Sequence, residues 1–336
     1  MKNIQLMKIF NKRNLTLNCI KGNIKTYKVD LIIISLFLMI IIKSLQTNPE
    51  IRSKLARYMG ILPDTENFWK INKKSFDYLK RTYVYLLNDL PTYKHTHQTN
   101  KTIFWCWFQG VQEAPKLYIS NLNSLKMNCK DFNIIIINEA NMYNYIKFPT
   151  YIIEKYKKKY FNPTHFSDLL RLELLIKYGG TWIDASVLIT KYSKEYFTKD
   201  LFFFQERGND GYVGSSWFIT SEKGSPILRT TRDLLYEYWR KNNSLYNYFT
   251  FHLFFKMACE IYIQDLKNIQ YISNVQPHIL QSKLREKFSQ EQFNKIINNV
   301  TVHKLTFPLS NIHKNSFYHY IIKKYFKNEF FISDDF

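Results

Sequence analysis

The residues best suited to chemistry lie in one stretch, from His165 to Val187, which reads HFSDLLRLELLIKYGGTWIDASV. Near its end, Asp184 interrupts an otherwise apolar run. A carboxylate in such a run is costly to bury unless it is paired or binds a metal ion, and ligands of α/β proteins bind at the carboxyl ends of strands. Asp184 is therefore the strongest candidate for a functional residue. The alternative is an internal ion pair, for instance with Arg171.

Asp168 and Arg171 lie in a predicted helix just before this strand. Their spacing of three places both side chains on one helix face. The helix is predicted to begin at Asn162 and Pro163, which suit its cap and first turn, and to end at the two glycines that follow Tyr178. Asp168 and Arg171 can bind a ligand, or they can form an ordinary surface ion pair that contributes less than ~1 kcal/mol to stability.

Strands and helices alternate along residues 101–220, which predicts an α/β sheet of the Rossmann-like kind. The run FNIIII at 132–137 is typical of a parallel strand that is buried on both faces. The predicted strands are Ile103–Phe108, Phe132–Ile137, Trp182–Ile189, Leu201–Gln205 and Ser216–Thr220. The predicted helices are Ser75–Leu90, Pro115–Asn128, Tyr151–Tyr160, Pro163–Tyr178, Pro226–Lys241 and Tyr248–Leu266. Beyond residue 270 the pattern assigns no elements.

The combination S-D-x-x-R…Y-G-G-x-W-x-D at 167–184 is long and specific. Together with IFWCWFQG (103–110) and YFTFHLFFKMACE (248–260), it resembles the capsular polysaccharide synthesis proteins, and more broadly the nucleotide-sugar glycosyltransferases with a DxD sugar-binding region (glycosyltransferase family 32-like). The resemblance covers about residues 101–260 and extends more loosely to 306. It implies an α/β fold of the GT-A type, the Rossmann-like fold of nucleotide-diphospho-sugar transferases, here with a helical N-terminal segment.

The resemblance also implies an activity, that of a hexosyltransferase-like enzyme. Such an enzyme moves a sugar from a nucleoside-diphosphate sugar, with a UDP-sugar as the first expectation, to a glycan or lipid-linked acceptor. The pathway implied is capsular polysaccharide or lipopolysaccharide-type biosynthesis.

Four positions receive roles from the resemblance. Trp107 matches the residue that stacks on the nucleotide base. Asp168 and Arg171 match the residues that hold the hydroxyls or phosphates of the donor. Asp184 matches the first carboxylate of the DxD pattern, which binds donor and metal, and it is the residue on which we expect catalysis to depend.

The resemblance further implies a divalent metal ion, Mn²⁺ or Mg²⁺, which bridges two phosphates and neutralises the leaving diphosphate. Here residue 186 is Ser instead of the second Asp, and a neutral oxygen attracts a cation less strongly. The predicted ligands are Asp184, Ser186 and the late histidine His303, with His313 as the alternative.

Two further residues have open roles. Glu206, which follows the predicted strand Leu201–Gln205, can act as a base or only cap a loop. His252, which lies among phenylalanines, can be a core histidine or a donor ligand.

The composition excludes several classes of protein. The 336 residues carry a formal net charge of +21, and 46% of them are hydrophobic, which excludes intrinsic disorder. Only 10 of the 48 basic residues are Arg, and no RRM, helix-turn-helix or zinc signature is present, so we expect no nucleic-acid partner. The four cysteines form no C-x-x-C pair, which favours a reduced, cytoplasmic protein.

The first 60 residues have a different character, with 11 basic residues against two acidic ones around the apolar run 31–42. Twelve helical residues span about 18 Å, less than the roughly 30 Å of a bilayer core. A basic segment around an apolar run suits an anionic membrane surface. We therefore expect a location at the cytoplasmic face of the membrane, with 31–42 as a single-pass or interfacial anchor. A buried helix is the alternative.

The predicted domains follow from these patterns: a basic, apolar membrane-proximal segment (1–60), a helical connector (61–100), a GT-A glycosyltransferase domain (101–310) and a C-terminal tail (311–336). The leading hypothesis is a nucleotide-sugar glycosyltransferase. The alternative is a non-catalytic protein that binds polyanions or membranes on a degenerate GT-A fold, an alternative supported by the +21 charge and by Ser186.

Overall fold

A five-stranded mixed sheet lies at the centre of the described residues. The structure is a computed structural model that describes residues 68–88, 90, 100–208, 211–266, 269, 272–306 and 312–326. The strands in this part of the chain are β1 (Thr102–Cys106), β2 (Asn133–Ile137), β3 (Gly180–Asp184), β4 (Val187–Ile189), β5 (Leu201–Gly208), β6 (Gly211–Ser221) and β7 (Val302–Lys304). The central sheet has the strand order β2-β1-β3-β6-β5.

One half of this sheet is parallel and the other half is antiparallel. β1 lies between β2 and β3, and all three run in the same direction. β6 runs antiparallel to β3, and β5 runs antiparallel to β6. The short connection between β5 and β6 permits no parallel pairing, because parallel neighbours need a crossover of a dozen or more residues. The predicted α/β class is confirmed, and its sheet is rich in parallel strands but not wholly parallel.

The strand predicted over Trp182–Ile189 is wrong as a single element. The chain turns at Ala185 and Ser186, so that β3 ends at Asp184 and β4 begins at Val187. β4 leaves the central sheet and pairs antiparallel with β7. The apolar run continues through the turn because both strands are buried, and hydrophobic pattern alone does not show where a strand changes its partner.

Helices surround the sheet and fill the C-terminal part. Their bounds are α1 (Phe68–Tyr83), α2 (Lys116–Asn128), α3 (Met142–Tyr145), α4 (Thr150–Lys157), α5 (Pro163–Tyr178), α6 (Lys194–Phe197), α7 (Pro226–Lys241), α8 (Thr250–Ile261), α9 (Ile263–Leu266), α10 (Val275–Lys283), α11 (Gln290–Asn299) and α12 (Phe317–Tyr325), with 3-10 turns at Val84–Leu87 and Val111–Glu113. The predicted helix Pro226–Lys241 is confirmed at both ends. The helix predicted over Tyr248–Leu266 is wrong as one element, since it is interrupted at Tyr262, where apolar residues continue on both sides.

The helix that carries the candidate residues, α5, has the ends that the sequence predicted. The Asn162 side chain accepts a hydrogen bond from the backbone N–H of His165, and Pro163 occupies the first turn. At the other end, Gly179 and Gly180 have φ angles of +71° and +99°. A Cβ on Gly180 would lie 2.5 Å from the carbonyl oxygen of Thr102. The glycine pair therefore lets the chain turn sharply and enter β3 directly beside β1.

The two faces of the sheet contribute to different parts of the core. Phe104 and Trp182 pack with Leu169 of α5 in one cluster. Trp105 and Ile183, the next residues along the same strands, pack with α2 on the opposite face. This alternation is the period of two expected of a strand. It gives a three-layer arrangement in which α5 and α2 cover opposite faces of the sheet.

The C-terminal elements pack against the body of the protein. Phe317 and Ile321 of α12 lie in a buried cluster with Leu117 of α2 and Leu188 of β4. The same region supplies β7, which places Lys304 opposite Val187. α12 falls within the segment predicted as a C-terminal tail, and the predicted domain boundaries themselves stay predictions.

The predicted membrane anchor at 31–42 lies outside the described residues. Among the helices of the described part, none combines the length and the apolar composition needed to cross a bilayer. The three described cysteines, Cys106, Cys129 and Cys259, are free and buried.

The substitution Gly180→Ala tests the close approach of β3 to β1. We expect it to lower the free energy of unfolding by at least about 2 kcal/mol, because the new Cβ meets backbone at a positive φ. Thermal or chemical denaturation measures the loss. Gly224→Ala is the matched control, since its φ of +79° carries similar strain but the atoms nearest to its new Cβ belong to the Arg229 side chain, at 3.2 Å or more, and not to backbone. Equal losses in the two variants would contradict a special role for the approach to Thr102.

Candidate functional site

The candidate site lies at the carboxyl edge of the parallel half of the sheet. Asp184 is the last residue of β3 and is opposite Cys106, the last residue of β1. Trp107 follows directly after β1, so it lies at the same edge. This is the edge at which ligands bind in open α/β sheets.

The Asp184 carboxylate accepts hydrogen bonds from three side chains. Its Oδ1 accepts from Trp182 Nε1 at 2.8 Å and from Arg171 Nη2 at 3.2 Å, and its Oδ2 accepts from Lys304 Nζ at 2.8 Å. Burial favours the neutral acid, but the positive charges of Lys304 and Arg171 and the hydrogen bonds from Lys304 and Trp182 outweigh it and lower the pKa of Asp184 to about 2. Asp184 is therefore a carboxylate at neutral pH.

Arg171 joins the two acidic candidates into one network. Its Nη1 donates to Asp168 Oδ1 at 2.8 Å, and its Nη2 donates to both Asp184 and Ser167. The guanidinium also lies over the Trp182 ring, 5.2 Å from the centroid. The Arg171 side chain is only 3% exposed. The alternative that Asp168 and Arg171 form an ordinary surface ion pair is therefore wrong. The alternative that Asp184 pairs internally with Arg171 is confirmed.

His165 is a partner of Asp168 that sequence reasoning did not identify. It is buried, with Nδ1 3.5 Å from Asp168 Oδ2, and its ring packs edge-on against Tyr248 at 5.2 Å. It lies three residues before Asp168 in α5, so the i, i+3 spacing was available as a signal. Asp168 is thus contacted from two sides within α5, by His165 one turn before it and by Arg171 one turn after it.

Lys304 is the second residue that sequence reasoning missed. Its Nζ lies 2.8 Å from Asp184 Oδ2 and 2.6 Å from Ser186 Oγ. Because β7 pairs with β4, Lys304 lies opposite Val187, and the Leu305 N–H bonds to the Ser186 carbonyl at 2.8 Å. Nothing local distinguishes Lys304 among the many lysines of this chain, and it is 120 residues away from Asp184.

The residues at 184 and 186 do not fit a divalent metal ion in this arrangement. The Lys304 ammonium lies between the Asp184 carboxylate and the Ser186 hydroxyl, where it contacts both. Within the described ranges, no group of three or more His, Cys, Asp or Glu side chains has the geometry to hold a metal. The metal ion implied by the resemblance stays a prediction.

The structure does not bring His303 to Asp184. His303 is fully buried in β7, and its Nε2 lies 3.3 Å from Thr190 Oγ1. Neighbouring residues on a strand point to opposite faces, so His303 faces away from the site that Lys304 enters. Burial lowers the pKa of His303 to about 3, which keeps the ring neutral. His313 is exposed, and its Nδ1 accepts from the backbone of Asn315.

The remaining candidates from the sequence are Trp107, His252 and Glu206. The Trp107 ring packs against Tyr118, with 5.0 Å between ring centroids, and its stacking on a base stays a prediction. His252 packs edge-on against Phe251, and burial lowers its pKa to about 4, with Asp168 opposing and Arg171 reinforcing the shift. Glu206 lies in β5, and its side chain is outside the described part.

The substitution Arg171→Met tests the buried network. We expect the free energy of unfolding to fall by about 3–5 kcal/mol, because two carboxylates lose their shared partner in a buried setting. Urea denaturation provides the measurement. The control is Arg240→Met, whose side chain is 64% exposed. Its partner Glu237 is buried but also accepts a hydrogen bond from Tyr85 and pairs with Lys241, so that carboxylate stays paired and the loss is expected to be about 1 kcal/mol or less. Comparable small losses for both variants would show that the network does not stabilise the fold.

The lowered pKa of Asp184 predicts a pH dependence of stability. A carboxyl whose pKa is lower in the folded state stabilises the fold above its unfolded pKa, and this stabilisation is lost as the pH falls toward the folded pKa. We expect the difference in unfolding free energy between wild type and Asp184→Asn to be constant above about pH 5 and to shrink between about pH 4 and pH 2. A difference that stays constant down to pH 2 would contradict this assignment.

Comparison with known proteins places this site in a family. The family model of the capsular polysaccharide synthesis proteins matches residues 61–321. No curated protein matches the chain significantly. Among solved structures, the chain is similar to the PaToxG glycosyltransferase, with 18% identity over 74% of this chain and 94% of that chain and a TM-score of 0.35. It is also similar to a structure described as a transferase mutant, with 13% identity over 53% and 93% and a TM-score of 0.33.

Structural likeness at this level does not by itself assign a function. The family match is of a different kind, because it extends from before α1 into α12 and includes every residue of the Asp184 network. The chain belongs to the capsular polysaccharide synthesis protein family.

Proposed function

We propose that this protein is a glycosyltransferase of the GT-A type. It transfers a sugar from a nucleoside-diphosphate sugar to a glycan or lipid-linked acceptor in capsular polysaccharide or lipopolysaccharide-type biosynthesis. The observation that carries the proposal is the joining of Asp168, Arg171 and Asp184 in one buried network at the carboxyl edge of the sheet. The family resemblance assigns donor binding to these three residues, and the chain belongs to that family.

The network is suited to holding a donor in one orientation. Arg171 uses both terminal nitrogens to fix two carboxylates, so neither acid needs to reorganise when a ligand arrives. Among the described residues, Asp184 Oδ2 accepts one hydrogen bond, from Lys304, whereas Oδ1 accepts two. A carboxylate oxygen has two lone pairs. Oδ2 therefore keeps room for one hydroxyl of a sugar.

Electrostatics support an anionic donor. The net charge of +21 attracts nucleoside diphosphates and phosphate-bearing acceptors over a long range. At the site itself, the charges of Lys304 and Arg171 balance those of Asp168 and Asp184. An arriving diphosphate therefore meets no excess of negative charge.

The membrane part of the proposal rests on the first 60 residues. Their basic residues and the apolar run 31–42 favour contact with an anionic membrane surface, where lipid-linked acceptors are located. A location at the cytoplasmic face of the membrane would give the enzyme access to nucleotide sugars as well. This segment lies outside the described residues.

A thermal-shift screen with UDP-sugars and GDP-sugars tests the donor class, with CMP-sugars as the monophosphate comparison. We expect one diphosphate class to raise the melting temperature, because a ligand that binds only the folded state stabilises it. Stabilisation by polyanions alone, removed by added salt, would favour the non-catalytic binder instead.

The substitution Asp184→Asn tests the role of the network in turnover. We expect donor turnover to fall at least about 100-fold, because the amide carries no charge and changes the hydrogen bonding at the reacting end of the site. Release of nucleoside diphosphate measures turnover, and circular dichroism checks that the fold persists. The matched control is Asp77→Asn, which removes a carboxylate from an exposed i, i+4 pair on α1. Full activity in Asp184→Asn would overturn the proposal.

A further inference from the structure

The position of Lys304 has a consequence for how the donor is held. We propose that the Lys304 ammonium takes the place of a divalent cation between Asp184 and Ser186 and binds the donor's diphosphate directly, so that diphosphate binding needs no metal ion. This inference rests on the proposed function, because it names the group that holds the donor of that reaction.

The first support is the placement of the charge. Lys304 Nζ contacts Asp184 Oδ2 at 2.8 Å and Ser186 Oγ at 2.6 Å, so it bridges the two positions of the shortened D-x-S pattern. A divalent ion that bound both side chains would have to occupy the same space. Two cations at such a distance repel strongly. The ammonium therefore competes with a metal ion for this site.

The second support is the chemistry of residue 186. A serine hydroxyl is neutral, and it serves here as the acceptor for one N–H of Lys304. One carboxylate and one hydroxyl match a single positive charge, whereas a divalent ion is normally held by more oxygen ligands and more negative charge. The replacement of the second carboxylate by serine and the presence of the lysine therefore compensate each other.

The third support is the unused capacity of the ammonium group. A lysine ammonium has three N–H donors. Within the described part of the chain, Asp184 and Ser186 accept from two of them. The Lys304 side chain is 20% exposed, so a ligand can reach it. The third N–H is available for a phosphate oxygen, which is a favourable charge-assisted contact.

The fourth support is the rigidity of the strand that carries Lys304. β7 pairs with β4 over three residues, and Lys304 lies opposite Val187. The Leu305 N–H bonds to the carbonyl of Ser186 at 2.8 Å. The backbone segments that carry Lys304 and Ser186 are therefore hydrogen-bonded to each other. This holds the ammonium in a fixed position, as a group that binds a ligand requires.

The role in the reaction follows from the charge balance. During transfer, the bond between the anomeric carbon and the diphosphate oxygen breaks, and its electron pair stays with the diphosphate. A bond to the acceptor oxygen forms, and the acceptor hydroxyl loses its proton to water. The diphosphate gains one negative charge in this step, and the Lys304 ammonium is placed to stabilise that charge.

The experiment measures the binding of UDP and GDP by calorimetry, in EDTA and separately in Mn²⁺, with uridine and guanosine as phosphate-free counterparts. We expect one diphosphate to bind wild type with an affinity that changes less than twofold between EDTA and Mn²⁺. Binding that appears only with Mn²⁺ would overturn this inference and leave the proposed function standing. Binding of neither diphosphate in either condition would overturn the proposed function as well.

Variants separate the ammonium from other contacts. We expect Lys304→Met to weaken diphosphate binding in EDTA at least tenfold and to leave nucleoside binding within twofold, which also reports that the fold persists. Lys283→Met is the matched control, because Lys283, the last residue of α10, forms a surface ion pair with Glu286. Unchanged diphosphate binding in Lys304→Met would contradict the inference. If that variant does not fold, the wild-type comparison of EDTA with Mn²⁺ still decides.

The double variant Lys304→Met with Ser186→Asp gives a positive test. It restores two carboxylates at 184 and 186 and removes the competing cation, so we expect diphosphate binding that depends on Mn²⁺. Mn²⁺ binding alone, followed by its paramagnetic resonance signal, provides a readout that does not involve activity. Absence of Mn²⁺ binding by this variant would contradict the inference that Lys304 occupies a cation position.

Discussion

The ionised carboxylate of Asp184 is the constraint on which the arrangement of this site depends. It lies at the end of a buried strand, where an uncompensated negative charge is unfavourable. Three side chains donate hydrogen bonds to it: Arg171 from α5, Lys304 from β7, and Trp182 from the same strand as Asp184, β3. Because Arg171 belongs to α5 and Lys304 to β7, these hydrogen bonds also tie α5 and β7 to the end of β3. The carboxylate of Asp184, which a ligand would contact, is thus also the group around which Arg171, Lys304 and Trp182 are arranged.

The fold brings these groups together through two tight connections. The first is the glycine pair between α5 and β3, where Gly180 passes so close to Thr102 that a side chain has no room. The second is the turn after Asp184, where the chain leaves the central sheet and β4 takes β7 as its partner. Through this change of partner, β7 brings Lys304 to the site. The C-terminal region therefore completes the site as well as the core.

The resemblance and the geometry of the site point to the same residues, Asp168, Arg171 and Asp184, but they differ in the cation: the resemblance implies a metal ion, whereas the structure places the Lys304 ammonium between Asp184 and Ser186. Members of a sugar-transfer family need positive charge near a leaving diphosphate, and either a metal ion or a basic side chain can provide it. In this chain Ser186 stands where a second carboxylate would hold a metal, and a lysine from a distant strand reaches the same point. The serine at position 186 and the lysine at position 304 therefore fit together: the one removes a negative charge, and the other supplies the positive charge.

The sequence alone determined the features that depend on near neighbours. The cap at Asn162, the glycine stop and the shared face of Asp168 and Arg171 are local, and the structure contains all three. Only the tertiary structure decided that Asp184 meets Lys304 and that His303, one residue away, faces elsewhere. The physical reason is that strand pairing between β4 and β7 sets which side chains share a face, and this pairing joins segments more than 100 residues apart, where local pattern carries no information.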